Sequence, residues 1–264
     1  MQERHQNRQQ YFKEQGITTK KYVIPFIEPF KPISSTTRVL EIGCGEGGNM
    51  APFVELGCEV VGVDINEAKL KLAKEYFVPI KHNENLKLVF ENIYNLTIED
   101  IGRFDLIIMR DVIEHIPDQE IFLAYVKQFF KPNGMLFMGF PPWYMPFGGH
   151  QQVLHSKLLS KLPYFHILPK PIYRLILKSF GTTDTVIESR MDIKDTGITI
   201  ERLDEILKKE QYKVKVKQLF LINPNYETKF GLKPRKQLSV FSAIPFIRNF
   251  ITTCCYFLVT PQAE

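Results

Sequence analysis

The chain has 264 residues, of which 44% are hydrophobic and 24% charged, and its net charge is +5. This length allows one large domain or two small ones with a real core, and the composition is ordinary for a soluble globular protein. Its four cysteines include an adjacent pair and match neither a disulfide framework nor a zinc site, so we expect reduced thiols and a cytoplasmic protein.

The sequence predicts no membrane-spanning helix. The first fifteen residues, MQERHQNRQQYFKEQ, are polar and lack the apolar core of a signal peptide. No run reaches about 18 uninterrupted apolar residues, the usual minimum for a spanning helix. The strongest candidate, residues 244–259, is interrupted by Arg248 and Asn249.

Strand and helix patterns alternate through the first 140 residues, which is typical of a parallel sheet covered by helices on both faces. The predicted strands are residues 38–43, 59–65, 86–93, a fourth that starts at 104 and turns into a loop at Arg110–Asp111, and 135–140. The predicted helices are residues 50–57, 66–77 with Asn66 as N-cap, and 119–134 with a Pro-Asn-Gly stop.

The alternation stops at Pro141, and residues 141–195 show no clear strand–helix unit. A helix is predicted at 199–211 and two strands at 212–222 and 250–259, the first of which alternates as an antiparallel edge strand does. We therefore expect an α/β, Rossmann-like, mostly parallel seven-stranded sheet with helices on both faces and an antiparallel last strand. The expected divisions are an N-terminal helical cap (1–37), a main domain (38–264) and a helical and aromatic lid inserted after strand 5 (141–195).

A glycine-rich turn follows the first predicted strand. The segment EIGCGEGG places Gly43, Gly45 and Gly48 at the spacing G-x-G-x-x-G, which permits a tight turn and close approach of a nucleotide to the backbone. Asp64 ends the next strand, where a carboxylate can accept hydrogen bonds from ribose hydroxyls. The two features together indicate an adenosine-containing ligand, and a nicotinamide cofactor meets the same requirements.

Three segments, VLEIGCGEGGN, VVGVDIN and FDLIIMRDVIEHIPD, resemble the class I S-adenosylmethionine-dependent methyltransferases. Their order and spacing are similar to the small-molecule branch, which includes quinone-biosynthesis methyltransferases, and the resemblance covers about residues 38–140. Glu41 before the first glycine, and EHI with its preceding Asp111, are features of this family and unusual in a dehydrogenase fingerprint.

The resemblance implies S-adenosylmethionine as cofactor and S-adenosylhomocysteine as product. It implies that Gly43 and Gly45 approach the methionine part, Glu41 and the Arg110 carbonyl bind its amino group, Asp64 binds the ribose, Ile65 and Ile93 pack on adenine, and Asn92 accepts from the adenine amine. Asn92 stands where the family usually has Asp, which weakens that contact. Structural roles remain open for three of these residues: Glu41 could be a surface acid, Asp111 the N-cap of a short helix, and His115 a helix cap or a core residue.

The segment FPPWYMPFGGHQQVLH begins where the fifth strand ends, so it should border the methyl-donor site. Trp143, Tyr144 and Phe147 would form apolar walls of an acceptor pocket, and Gly148–Gly149 would form a turn that places His150. Tyr11 and Tyr22 of the N-terminal segment are further pocket candidates, because that segment resembles the family's flexible cap. They could equally pack on the sheet.

Methyl transfer from a sulfonium is a direct displacement that needs alignment, exclusion of water and, for a hydroxyl acceptor, a base. His150 is the first candidate for that base, His155 the second, and Tyr144 a possible donor or orienting group. His150 could also merely hold the loop. We expect no metal, because no carboxylate or cysteine accompanies His150 and His155 in their segment.

Residues 155–180 alternate lysines with large apolar residues, in a region (135–183) with five basic residues and no Asp or Glu. Two short amphipathic helices broken by Pro163 and Pro169 could lie on an anionic membrane surface. A lid or a dimer interface fits the same pattern. Nucleic acid is an unlikely partner, because charge elsewhere is balanced and no nucleic-acid-binding module is present.

The sequence thus predicts O- or C-methylation of a small or lipid-like acceptor, by a protein that is cytoplasmic or peripheral at the membrane. Two alternatives remain: an NAD(P)-dependent oxidoreductase that uses the same glycine turn, and a non-catalytic protein that only binds the cofactor.

Overall fold

The computed structural model describes residues 7–262, so the outer ends of the predicted divisions 1–37 and 38–264 lie outside the described residues. One mixed sheet carries the fold, with its strands in the spatial order β3-β2-β1-β4-β5-β8-β6-β7. The strands are β1 Arg38–Ile42, β2 Glu59–Asp64, β3 Leu86–Phe90, β4 Phe104–Arg110, β5 Phe130–Phe140, β6 Tyr212–Ile222, β7 Arg235–Lys236 and β8 Cys254–Pro261.

Helices surround the sheet and fill the long connections. The α-helices are α1 Arg8–Thr18, α2 Ile24–Ile27, α3 Ala51–Glu55, α4 Glu67–Phe77, α5 Ile98–Ile101, α6 Gln119–Val126, α7 Lys170–Ser179, α8 Asp184–Thr196, α9 Ile200–Lys209, α10 Asn225–Phe230, α11 Ser239–Ser242 and α12 Ile247–Phe250. A π-helical segment, Thr19–Val23, joins α1 to α2, and short 3₁₀ turns occupy several loops.

The five predicted parallel strands are confirmed, and they are apolar because helices cover both faces of the sheet. Alternate residues of β1 enter different cores: Leu40 and Ile42 pack on one face and Val39 on the other. Asn66 caps α4 as predicted, since its side chain accepts a hydrogen bond from the Lys69 amide.

The antiparallel end of the sheet decides which loops surround the site. β8 runs antiparallel to β5, and β6 runs antiparallel to β8. The carboxyl end of β6 therefore lies at the same sheet edge as the carboxyl ends of β4 and β5. The 223–253 connection, which joins β6 to β8, rises from that edge.

The prediction of seven strands was short by one. β7 is only two residues long and pairs with the end of β6, and so small a strand leaves no period in the sequence. The predicted helix 119–134 ends as an α-helix at Val126, and β5 begins at Phe130, with residues 131–134 bulging out of register with β4. The last strand starts at Cys254 instead of 250, because α12 precedes it.

Residues 141–199, between β5 and α9, correspond to the predicted insertion and are hereafter called the insertion. It has a small core of its own, made by Leu154, Leu159, Phe165, Tyr173, Leu177, Ile187 and Met191. Only the second predicted amphipathic helix exists, as α7, whereas residues 159–161 form a single 3₁₀ turn. Helix α8 was missed, because its apolar periodicity is weak.

The predicted N-terminal helix is present as α1 and packs on the glycine loop. A Cβ atom built on Gly48 would overlap the Phe12 carbonyl oxygen and lie 2.7 Å from the Gln15 Cβ. Glycine at this position therefore lets the helix backbone approach the loop closely.

Candidate cofactor and acceptor site

The glycine turn lies at the carboxyl end of β1, where open α/β sheets bind ligands. Gly43 has φ +71°, and a Cβ there would lie 2.7 Å from Val112 Cγ2. Gly45 has φ +55°, and a Cβ there would have Lys69 Cδ as its nearest atom, at 3.7 Å. Gly43 is the exposed residue of the turn, whereas Gly45 is buried with the Lys69 side chain in ordinary contact. Both positions have a left-handed backbone that favours glycine.

Asp64 ties the ends of β1 and β2 together. Its Oδ2 accepts a hydrogen bond from the Gly45 amide at 2.7 Å, and its Oδ1 accepts from the Asn66 amide at 2.8 Å. Each carboxylate oxygen retains a second acceptor position, so the ribose diol can still bind. The adjacent Ile65 side chain is 72% exposed and offers an apolar surface for a base.

Glu41 is a buried acid with one unused oxygen. The Asn49 side-chain amide donates to its Oε1 at 2.8 Å, and its Oε2 has no partner among the described residues. Burial raises the pKa of Glu41 to about 8, against the opposing effect of the Asn49 hydrogen bond. An unsatisfied buried carboxyl of this kind fits a cationic group such as the ammonium of an amino-acid moiety.

The Arg110 side chain is buried and joins four segments of the chain. Its Nη1 donates to Asn49 Oδ1 at 2.6 Å and to Thr19 Oγ1 at 3.2 Å, and its Nη2 donates to Asn225 Oδ1 at 2.5 Å. The sequence pointed only to its backbone carbonyl and missed these partners. Asn49 alone had a signal, because it follows the glycines in the motif.

The adenine side matches the expectation only in part. Asn92 is exposed, but its Oδ1 already accepts from the Tyr94 amide at 3.1 Å, where it caps a 3₁₀ turn. Ile93 is buried in the core. Of the two predicted apolar contacts to adenine, only Ile65 presents a free surface.

Asp111 stands between the cofactor side and the acceptor side. It has φ +55°, and its amide donates to the Gly139 carbonyl at 2.8 Å. The alternative role as an N-cap is wrong, since the turn Ile113–His115 has Val112 at its cap and no side-chain capping bond. Burial, and next the Asp111 charge, raises the pKa of Tyr11, which places Tyr11 beside this carboxylate.

His150 does not stand alone. The rings of His115 and His150 meet edge to face with centroids 4.9 Å apart, and ligand atoms of Glu114, His115 and His150 all lie within 4.8 Å of one another. Glu114 is buried, and neither of its carboxyl oxygens has a partner among the described residues.

This cluster can take up a proton or bind a cation. Burial, reinforced by the Asp111 charge, raises the pKa of Glu114, and burial lowers the pKa of His115. Both shifts favour the neutral forms, and a neutral imidazole can accept a proton from a hydroxyl. The segment of His150 contains no carboxylate, but the fold brings Glu114 to it from the loop after β4, so the expectation of no metal is reopened by these three side chains.

The predicted pocket wall at Trp143 needs correction. Its ring packs on His166 with centroids 4.7 Å apart, and its carbonyl is 2.7 Å from His166 Nε2. A Cβ on Gly197 would meet the same ring, and Gly148 and Gly149 pass close to His166. Trp143 therefore stabilises the insertion around a buried histidine whose pKa burial lowers to about 4.

The other predicted pocket residues differ in their surroundings. Tyr144 stacks on Phe250 with centroids 5.1 Å apart, and Phe147 is half-buried. His155 is exposed and is not part of the Glu114 cluster among the described residues. The Tyr22 hydroxyl donates to Glu227, so this tyrosine is tied to α10.

Within residues 7–262, none of the helices is both long enough and apolar enough to pass through a bilayer.

Residues 40–138 match the protein family described as "Methyltransferase domain". The ubiquinone biosynthesis O-methyltransferase of Rhodopseudomonas palustris strain TIE-1 is 32% identical over 99 residues, which cover 38% of this chain and 38% of that protein. The match thus spans well under half the length of this curated relative.

Solved structures share the fold over nearly the whole chain. A putative sarcosine dimethylglycine methyltransferase from Galdieria sulphuraria has a TM-score of 0.61 at 14% identity, over 92% of this chain and 85% of that chain. A geranyl diphosphate C-methyltransferase from Streptomyces coelicolor A3(2), in complex with S-adenosyl-L-homocysteine, has a TM-score of 0.55 at 11% identity, over 92% and 81%. The resemblance to class I methyltransferases and the Rossmann-like fold class are confirmed, and none of these proteins is an oxidoreductase.

Proposed function

We propose that this chain, whose residues 40–138 match the methyltransferase-domain family, transfers the methyl group of S-adenosylmethionine to a hydroxyl of a small or lipid-like acceptor. The observation that carries the proposal is the arrangement of Gly45, Asp64 and Glu41 around the end of β1. It offers a glycine turn with a left-handed backbone, acceptors for a ribose and a buried acid with an unused oxygen, which are the parts that this cofactor requires.

Each part of the cofactor has residues that would hold it. The ribose diol would donate to the second acceptor positions of Asp64, the methionine ammonium would donate to the free oxygen of Glu41, and the adenine would pack on the exposed face of Ile65. The cofactor supplies an electrophilic methyl group bound to a sulfonium. The chain contributes orientation and exclusion of water, which account for much of the rate of a bimolecular displacement.

The acceptor side favours oxygen as the atom that is methylated. We infer that His150 accepts the proton of the acceptor hydroxyl. The ring of His115 packs against that of His150, and the buried Glu114 lies beside both. A general base is needed for a hydroxyl and dispensable for sulfur or an activated carbon. The relative from Rhodopseudomonas palustris is named as an O-methyltransferase of ubiquinone biosynthesis, which supports a phenolic hydroxyl.

A lipid-like acceptor is supported by the surface of the insertion. Helix α7 exposes the apolar side chains of Ile172 and Leu175. Two of its basic residues are paired with acids, Lys170 with Asp195 and Arg174 with Glu188, so part of its positive charge is neutralised. The remaining lysines of residues 155–180 would face an anionic membrane, with the protein bound peripherally from the cytoplasmic side. A nucleic-acid partner remains disfavoured.

Calorimetric titration with S-adenosylhomocysteine, and with NAD as the parallel ligand, tests the cofactor. We expect micromolar binding of S-adenosylhomocysteine and none of NAD. Asp64→Ala should weaken that binding by about 10- to 100-fold, because a charge-assisted hydrogen bond is worth about 1.5–3 kcal/mol. Asp184→Ala, at the start of α8, is the control and should bind like the wild type.

Binding of NAD in place of S-adenosylhomocysteine would revive the oxidoreductase. Because Asp64 also holds the glycine loop, circular dichroism of each variant must show a folded protein before affinities are compared. Unchanged affinity in a folded Asp64→Ala protein would refute the ribose assignment. Tight cofactor binding without transfer to any phenolic acceptor would indicate a non-catalytic protein.

A further inference from the structure

The 223–253 connection exposes an unusual amount of apolar surface. Nine large hydrophobic side chains in it are 38% to 65% exposed: Phe230, Leu232, Leu238, Val240, Phe241, Ile244, Phe246, Ile247 and Phe250. Many exposed apolar side chains in one segment indicate an interaction site more often than scattered single residues do. The connection begins and ends at the sheet edge that carries the candidate site.

The same connection is basic. Residues 228–253 contain five Lys or Arg and no Asp or Glu. Arg248 pairs with Glu201 and Asp204, and Lys229 lies over the Tyr11 ring. Arg235 and Lys236 are exposed and make no salt bridge to any residue in 7–262. Their charge is therefore available to an anionic partner.

Buried polar anchors hold the connection in this exposed conformation. Asn249 is fully buried; its Oδ1 accepts from the Ile200 amide at 2.9 Å, and its Nδ2 donates to Glu201 Oε2 at 2.5 Å. The Gln237 side chain donates to the Ile251 carbonyl at 2.8 Å. Phe246 has φ +63°, which is rare for an aromatic residue, yet its side chain is 65% exposed.

The end of the connection touches the loop that borders the acceptor side. Phe250 stacks on Tyr144, and the Tyr164 hydroxyl donates to the Phe250 carbonyl at 3.0 Å. A partner bound to the connection would therefore lie next to the loop that borders the candidate acceptor side.

We propose that the 223–253 connection is a membrane-docking element for an anionic bilayer, in which Phe241 and Phe246 insert into the interface. Arg235 and Lys236 face the lipid phosphates, since exposed apolar and basic side chains together match the apolar and anionic layers of such a surface. The inference rests on the proposed function only for the identity of the candidate acceptor site, which docking would bring to the membrane surface. A lipid-like acceptor could then enter without crossing water.

Co-sedimentation with vesicles tests the proposal directly. The purified protein is mixed with vesicles of phosphatidylcholine containing about a third phosphatidylglycerol, and with phosphatidylcholine alone. We expect binding to the anionic vesicles and at least tenfold weaker binding to the neutral ones. Phe241→Ser/Phe246→Ser should reduce the anionic partition coefficient by about tenfold or more, because two apolar side chains no longer insert.

Matched variants separate docking from general surface effects. Leu56→Ser/Val78→Ser removes two exposed apolar side chains at the ends of α3 and α4, and should bind like the wild type. Arg235→Glu/Lys236→Glu should lose binding to anionic vesicles, whereas Lys74→Glu/Lys81→Glu, with the same change in charge, should lose much less.

The proposal would be overturned if the wild-type protein sedimented with neither kind of vesicle. It would also be overturned if Leu56→Ser/Val78→Ser lost as much vesicle binding as Phe241→Ser/Phe246→Ser. A concentration-dependent dimer in light scattering that Phe241→Ser/Phe246→Ser abolishes would overturn it as well, since the surface would then bind a second copy. S-adenosylhomocysteine titration of the same variants should be unchanged. Its failure in the wild type would instead count against the proposed function.

Discussion

Glu41 illustrates how one residue carries two opposing roles. Glu41 is buried in β1, so its carboxyl group is shielded from water. Only one of the two carboxyl oxygens accepts a hydrogen bond, from Asn49. The free protein therefore holds it mostly protonated near neutral pH, with a pKa of about 8. A cationic ligand group would favour the ionised form, so ligand binding should release a proton.

Glu41→Gln should therefore change how stability depends on pH. The folded pKa lies above the unfolded value of about 4.3, so the folded state binds more protons and stability falls as pH rises from about 5 to 8. The slope is at most about 1.4 kcal/mol per pH unit. Urea denaturation at pH 6 and pH 8 should show a smaller decline in Glu41→Gln, because Gln keeps the hydrogen-bonding shape without the proton.

The same variant tests the ligand. Wild-type affinity for S-adenosylhomocysteine should rise from pH 6 to pH 8, and Glu41→Gln should bind more weakly with a flatter profile. Glu114, the other buried acid with a raised pKa, is present in both proteins, so it cancels in the comparison. Identical pH profiles in the two proteins would show that Glu41 does not meet the ligand.

His150 carries the second prediction at the residue scale. His150→Asn should lower turnover by about 100-fold or more with catechol as the acceptor probe, the usual contribution of a general base. Asn tolerates the left-handed backbone of this position, where φ is +53°, so the turn should survive. Turnover is measured by transfer of a labelled methyl group, with cofactor affinity determined in parallel.

His155→Ala is the control, because His155 is exposed and outside the cluster. Full turnover in His150→Asn would assign His150 a purely structural role. If EDTA abolished turnover in the wild type, the Glu114–His115–His150 cluster would be a cation site instead of a base.

At the scale of elements, α1 packs closely on the glycine loop. Gly48→Ala would push against the Phe12 carbonyl and Gln15 and shift α1. Overpacking of this kind costs about 1–3 kcal/mol, and we expect cofactor affinity to fall several-fold as well. Thermal denaturation and calorimetry measure the two effects.

Gly181→Ala is the control for this element. A Cβ at Gly181 meets nothing within 4 Å, although φ is +73°, so the change strains the backbone without a clash. It should lower stability slightly and leave cofactor affinity unchanged. An equal loss of affinity in both variants would mean that α1 does not shape the cofactor site.

Elements with a strong local pattern were predictable and those without one were not. The parallel strands β1 to β4 are short, largely apolar runs, and α9 has a clean apolar stripe after its cap Thr199. β7 is two residues long, which is too short to show a pattern. The end of α6 has no sequence signal, because the Pro-Asn-Gly of residues 132–134 lies in a bulge of β5 and not at the end of the helix.

On the scale of the whole molecule, the antiparallel pairing of β6 and β8 has the largest consequence. It brings Asn225 to Arg110 and Phe250 to Tyr144, residues separated by more than 100 positions. The site is therefore bounded by two long connections, the insertion and the 223–253 connection. Both contain long stretches without Asp or Glu, at residues 135–183 and 228–253.

The sequence by itself determined the fold class, the glycine turn and the acid that follows it. These are local: a strand, a turn and the next strand end fix where Gly45 and Asp64 lie, whatever the rest of the chain does. Only the tertiary structure decided that Trp143 packs on His166, that Arg110 binds Asn49, Thr19 and Asn225, and that Glu114 and His115 join His150. Those contacts depend on which loops the sheet order brings to one edge, and the pairing of distant strands leaves no periodic signal in the residues that it brings together.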